Sequence, residues 1–302
     1  MVITEMVTAI MGLHNRGDFM NKANTRGKAD KAMPKLLLVL ILATVFAFGL
    51  IPATACGNND QPTYITIHGV QYSTSLTRLS LGWHDLTGED IMLMRYMTNL
   101  TDLFLSNNQI TDITPLAEMT NLTDLILDSN QITDITPLSE LTNLTFLSLF
   151  DNQITDITPL AELTGLTALI LSGNQITDLT PLAGLTNLTV LFLGPNQITD
   201  ITPLSEMTNL TDLIIWDSQI TDIAPLSELT SLTALTLSGN QITDLTPLAG
   251  LTNLTDLRLD RNQITDITPL AGLTNLENLW LSCNPITNWS PVAHIENVGG
   301  RP

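Results

Sequence analysis

Positive charge is scarce in this sequence, and its scarcity excludes one class of partner. Beyond Cys56 only Arg78, Arg95, Arg258, Arg261 and Arg301 remain, against 27 acidic residues. Such a field repels nucleic-acid phosphates. Cysteine is scarcer still: Cys56 and Cys283 are the two in 302 residues, too few for a disulfide framework. The four histidines, His14, His68, His84 and His294, lie scattered. None stands at metal-ligand spacing or beside a Ser or Cys nucleophile signal. No phosphate-cradling glycine loop and no dinucleotide fingerprint occurs. Together these absences argue against an enzyme and against any metal or other cofactor.

Long apolar runs are also few, and the one present is informative. Leu36 to Ile51 is uncharged, follows Lys28, Lys31 and Lys35, and precedes Pro52-Ala53-Thr54-Ala55-Cys56. A charged lead, an apolar run too short for a comfortable span and small residues at its end make a secretory signal. Ala53-x-Ala55 meets the ordinary cleavage rule, with the cut before Cys56. The segment also resembles a bacterial lipoprotein signal, with Ala53-Thr54-Ala55-Cys56 at the lipobox position; Ala53 stands where that family usually has Leu. The resemblance implies lipidation of Cys56 and a membrane attachment through it. Residues 1–55 then read as a removed leader and 56–63 as the lipidated Cys and a polar tether.

The rest of the chain is a repeat. Asn-Gln-Ile recurs from Asn108 at steps of 22 residues, through Asn130, Asn152, Asn174 and Asn196, then Asn240 and Asn262. Ser218-Gln219-Ile220 and Asn284-Pro285-Ile286 complete the series. Around each lies Leu-x-x-Leu-x-Leu-x-x-Asn-x-Ile, as in Leu100, Leu103, Leu105, Asn108 and Ile110. A degenerate first copy begins at Leu76 with His84 at the Asn position, so residues 76–292 hold ten units. One such coil cannot bury its leucines alone, whereas stacked coils bury them against each other. Alternation in each short strand turns Leu103 and Leu105 inward and Asp102, Phe104 and Ser106 outward.

The Asn amide can satisfy backbone groups where the buried chain turns, and Ser218 offers fewer bonds, so the coil at 210–231 is expected to be the weakest. Thr114 before Pro115, and its copies, predict a capped 3₁₀ or α turn opposite the sheet. Tyr64–Ile67, His68-Gly69 and Val70–Tyr72 read as a hairpin cap over 64–75. Residues 293–302 are left as a short tail.

This pattern resembles the leucine-rich repeat, and its 22-residue N-x-I-x-D form resembles the bacterial internalin-like type. The resemblance covers roughly residues 64–292. It implies a curved, right-handed solenoid with a parallel β-sheet on the concave face and short turns on the convex face. It also implies that the concave face grips a protein.

Two columns invite a functional reading. Asp112 and its copies to Asp266 stand one per coil, either as a calcium ladder or as acceptors for backbone N–H groups at a recurring turn. The turn reading is favoured. The outward column runs Ser80, Phe104, Ile126, Ser148, Ile170, Phe192, Ile214, Thr236, Arg258 and Trp280, with Phe146, Phe150 and Trp216 on the same face. An uncovered strip of this kind marks an interaction site. Its rim of Asp102, Asp124, Asp128, Asp151, Asp212, Asp217, Asp256 and Asp260 favours a basic protein. Carbohydrate recognition by Phe150, Trp216 and Trp280, or end-to-end self-association, are the other readings.

Overall fold

Regular alternation of apolar and polar residues over three positions per coil is enough to make a strand, and the coils supply one each. The computed structural model describes residues 61–301; the leader, Cys56 and its lipidation lie outside the described residues. The hairpin comes first, β1 (Tyr64–Ile67) and β2 (Val70–Ser73), paired antiparallel. Then follow β3 (Arg78–Ser80), β4 (Asp102–Phe104), β5 (Asp124–Ile126), β6 (Phe146–Ser148) and β7 (Ala168–Ile170). The series continues with β8 (Val190–Phe192), β9 (Asp212–Ile214), β10 (Ala234–Thr236), β11 (Asp256–Arg258), β12 (Asn278–Trp280) and β13 (Asn297–Gly299).

Strands β3 to β13 form one parallel sheet in strict chain order. Register advances by one repeat per strand, so Leu103 pairs with Leu125 and Leu125 with Leu147. The inward leucines and isoleucines of every coil merge into a single continuous core, most at 0–1% exposure. Ile65 and Ile67 of the hairpin close it at one end, and Val292 and Ile295 at the other. The segment 293–302, expected as a tail, instead adds β13 to the sheet beside β12.

The Asn column ties each coil to the one before. Asn130 Oδ1 accepts the Ile110 N–H at 3.0 Å, while Nδ2 donates to the Leu105 carbonyl at 3.0 Å and the Leu127 carbonyl at 2.9 Å. Asn152, Asn174, Asn240 and Asn262 repeat the set. Asn108 serves the first coil, accepting from the N–H groups of His84 and Leu86. The Ser218 hydroxyl is buried without any partner, so this coil lacks the bonds that the Asn side chain makes in its neighbours. Threonine and asparagine ladders join the coils at the strand entrance, as in Thr123 Oγ1 to the Thr101 carbonyl and Asn121 Nδ2 to the Thr98 carbonyl.

Opposite the sheet each coil makes a short 3₁₀ turn, Thr114–Leu116 in the second. The expectation that Thr114 caps this turn with its side chain is corrected. No side-chain cap comes from the residue before the turn, and Thr114 lies inside it. The Asp112 carboxylate takes the Thr114 N–H at 2.8 Å instead, a two-residue Asx geometry. Every copy does the same, from Asp134 to Asp266.

Candidate protein-binding face

The sheet face turned away from the core presents three side-chain columns, and their chemistry changes along the solenoid. Coils β4 and β5 carry Asp102, Asp124 and Asp128. Coils β6 to β8 are largely apolar, with Phe146, Phe150, Ala168, Ile170, Val190 and Phe192, and β9 adds Ile214 and Trp216 beside Asp212. Acids return with Asp212, Asp256 and Asp260. The result is an apolar centre bracketed by carboxylates.

This centre is not the open strip expected from the alternation. Ile126, Phe146, Ile170, Phe192 and Ile214 are only 2–8% exposed. Register sets Ser148, Ile170, Phe192 and Ile214 in one column, at about 4.8 Å between strands, so neighbours above and below wall each side chain in. Phe146 lies between Asp124 and Ala168, and the column alone does not account for its burial. The anchors that remain half-exposed are Phe104, Phe150, Trp216 and Trp280.

Two of these aromatics are stacked by arginines. Arg258 lies 4.1 Å from the centroid of its register partner Trp280, and Arg78 lies 5.1 Å from Phe104. Cation–π contacts of this sort hold a ring in place and occupy one of its faces. Trp216 crosses the face at Gly194, where an added Cβ would strike the Trp216 backbone N and O. Only a residue without a side chain permits that approach. The signal for Ala168, Val190 and Gly194 was their place in the same repeat columns.

Electrostatics follows burial. Desolvation pushes the Asp128 carboxyl up to about 6, against the lowering effect of the Ser148 hydroxyl and the Phe150 N–H, with Asp151 raising it further. Burial also raises Asp212, opposed by Thr211 and reinforced by Asp256. Burial raises Asp217, against the pull of Arg261. Burial therefore disfavours the ionised form at Asp128 and Asp212, whereas Arg78 lies 3.9 Å from Asp102 and Arg258 acts on Asp256 and Asp260. In the Asx column the cause is reversed: the Thr114 hydroxyl and N–H hold Asp112 below the usual carboxylate range, and Asp134, Asp156, Asp178, Asp200, Asp244 and Asp266 follow it.

Elsewhere His68 and His84 make local contacts. His68 Nε2 meets Asp90 at 3.1 Å, and His84 Nδ1 meets the Gly82 carbonyl at 2.6 Å. Among the described residues no group of three or more His, Cys, Asp or Glu is arranged to hold a metal ion. Cys283 is exposed and unpaired in a disulfide. No helix among the described residues is long and apolar enough to cross a membrane.

Stacked one-strand coils, an Asn ladder and a single long parallel sheet define a solenoid of the leucine-rich kind. The family described as leucine-rich repeats in two copies matches residues 120–162, 164–206, 208–250 and 252–294. Single-repeat relatives of it match 72–94 and 99–117. The chain belongs to the leucine-rich-repeat family and is internalin-like within it. Internalin C2 from Listeria monocytogenes is 42% identical, with a TM-score of 0.60 over 63% of this chain and 85% of that one. A leucine-rich-repeat protein of Leptospira interrogans is 27% identical, with a TM-score of 0.65 over 68% of this chain and 56% of that one. The ectodomain of a membrane receptor kinase from Arabidopsis thaliana, in complex with Casparian strip integrity factor 2, shares the fold at 24% identity and a TM-score of 0.65, over 74% of this chain and 29% of that one. No curated protein sequence matches.

Proposed function

We propose that the chain is an extracytoplasmic binding scaffold, without catalytic activity, that recognises a basic protein ligand through the outer face of its sheet. The observation that carries this reading is the apolar centre at Phe150 and Trp216, flanked by Asp102, Asp124 and Asp128 on one side and Asp212, Asp256 and Asp260 on the other. Half-exposed aromatics supply anchor area, and flanking carboxylates select and steer a cationic partner. Similarity to an internalin supports a surface role, and the leader with Cys56 supports lipid attachment there. Carbohydrate stacking on Trp280 is the weaker reading, since Arg258 already covers one face of that ring.

The test uses the exported protein with Phe150→Ala and Trp216→Ala together, compared with the unaltered protein on a panel of surface proteins and on a glycan array. Protein capture that the double variant loses supports the reading. Capture that the double variant keeps, or binding confined to glycans, overturns it.

A further inference from the structure

The exposed large apolar side chains of the described residues are Tyr64, Val70, Trp83, Met92 and Leu93. All fall at the N-terminal end of the solenoid, within the hairpin and the first coil, and the later coils expose none. Trp83 is 55% exposed and Val70 52%, and apart from these five the large apolar residues among those described are buried or half-buried. The His68–Asp90 contact at 3.1 Å pins the hairpin turn to the stretch that opens the 3₁₀ turn Met92–Tyr96. Val70, beside that turn, and Met92 and Leu93 thus share one end of the hairpin.

Charge is distributed with the same asymmetry. Residues 64–97 carry Asp85, Glu89 and Asp90 against Arg78 and Arg95, whereas residues 98–302 carry 23 acids against three arginines. An anionic bilayer therefore repels the coils strongly and the cap scarcely at all. The position of the leader supplies the third observation. Seven residues lie between Cys56 and Tyr64, so a lipid on Cys56 would keep Tyr64 within about 29 Å of the membrane. Trp and Tyr suit the headgroup level, where one part of the ring is apolar and the other wet.

We propose that this end of the solenoid rests on the bilayer surface, with Trp83, Met92 and Leu93 in the headgroup region and the acidic coils held away from it. Resting on the lipid-anchor reading, this contact stands the molecule on its cap and leaves the sheet face open to a partner. Asn59–Pro302 is a compact unit with its own continuous core, so the chain from Cys56 onward can be studied alone. Its Cys283→Ser form is coupled through Cys56 to a maleimide lipid in vesicles of phosphatidylethanolamine and phosphatidylglycerol carrying brominated acyl chains.

Part of the tryptophan emission is expected to be quenched relative to unbrominated vesicles, and Trp83→Phe is expected to abolish that part. The pair Met92→Ser and Leu93→Ser is expected to reduce it while the near-ultraviolet dichroism of the fold persists. Absence of quenching in the parent protein, or quenching undiminished by Trp83→Phe, overturns the contact. Intact mass of the full chain made in a bacterium reports the anchor separately: a product without lipid sinks the anchor reading, whereas the artificially tethered protein tests the cap itself.

Discussion

The Asn240 amide oxygen accepts the Ile220 backbone N–H at 3.1 Å, a bond to the preceding coil that Ser218 does not make for its own neighbour. Its hydroxyl is too short to bridge two coils and stays buried without a partner. An asparagine at 218 would stand between Asn196 and Asn240, where the same side chain already fits. Ser218→Asn is expected to raise stability by about 1–2 kcal/mol, the net return of one or two buried hydrogen bonds. Urea unfolding followed by circular dichroism measures it, and a lower midpoint would show that the coil has closed around the smaller residue.

The reverse change tests the ladder itself. Asn152 Nδ2 donates to the Leu127 and Leu149 carbonyls at 3.1 Å each, and Oδ1 accepts the Ile132 N–H at 3.0 Å. Asn152→Ala leaves the Ile132 N–H unpaired, at about 1–3 kcal/mol, while the Leu127 and Leu149 carbonyls keep the bonds from Asn130 and Asn174. In a solenoid, where each coil touches only its neighbours, that loss should split the unfolding transition rather than only shift it. A single transition with an unchanged midpoint would refute the ladder's energetic role.

Acid should act on two sets of carboxylates in opposite directions. Asp128 ionises less readily in the folded chain than at its ordinary value of 3.8, because burial pushes it to about 6. Stability linked to it is full below about pH 4 and declines as pH rises through 6, by at most about 3 kcal/mol. Asp112 and its lowered copies contribute stability above their ordinary range, which is lost as pH falls through their depressed values. Asp128→Asn should therefore flatten the decline between pH 4 and 7 and leave the acid limb in place. Urea midpoints across that range decide it, and an identical profile for the variant removes Asp128 from the account.

Fold and site were legible to different depths for a physical reason. Leu103, Asn108 and Pro115 recur because every coil needs the same core and the same turns, so one repeat announces ten. The Thr114 cap was misassigned because Thr before Pro and Asp two residues before Thr give equivalent capping signals in sequence, and only the 2.8 Å bond distinguishes them. The outward strip was misread at Ile170, Phe192 and Ile214 because alternation tells which face a side chain takes, but not how far its column neighbours cover it. Arg258 over Trp280 is a relation between coils 22 residues apart, invisible until register is known.

Binding should follow exposure rather than apolar character. Phe192 is 2% exposed and Ile214 5%, so truncating them removes core-like packing, at about 2–5 kcal/mol each, before it removes any contact with a partner. Phe150 and Trp216 are half-exposed, and losing either should weaken binding by about 2 kcal/mol or more with little loss of stability if it is an anchor. The flanking acids act at longer range. Asp124→Asn with Asp256→Asn should slow association and reduce its dependence on salt, while leaving dissociation nearly unchanged. Surface plasmon resonance at several ionic strengths separates these effects once a ligand is in hand. An association rate insensitive to both salt and these substitutions would mean that the carboxylates do not face the partner.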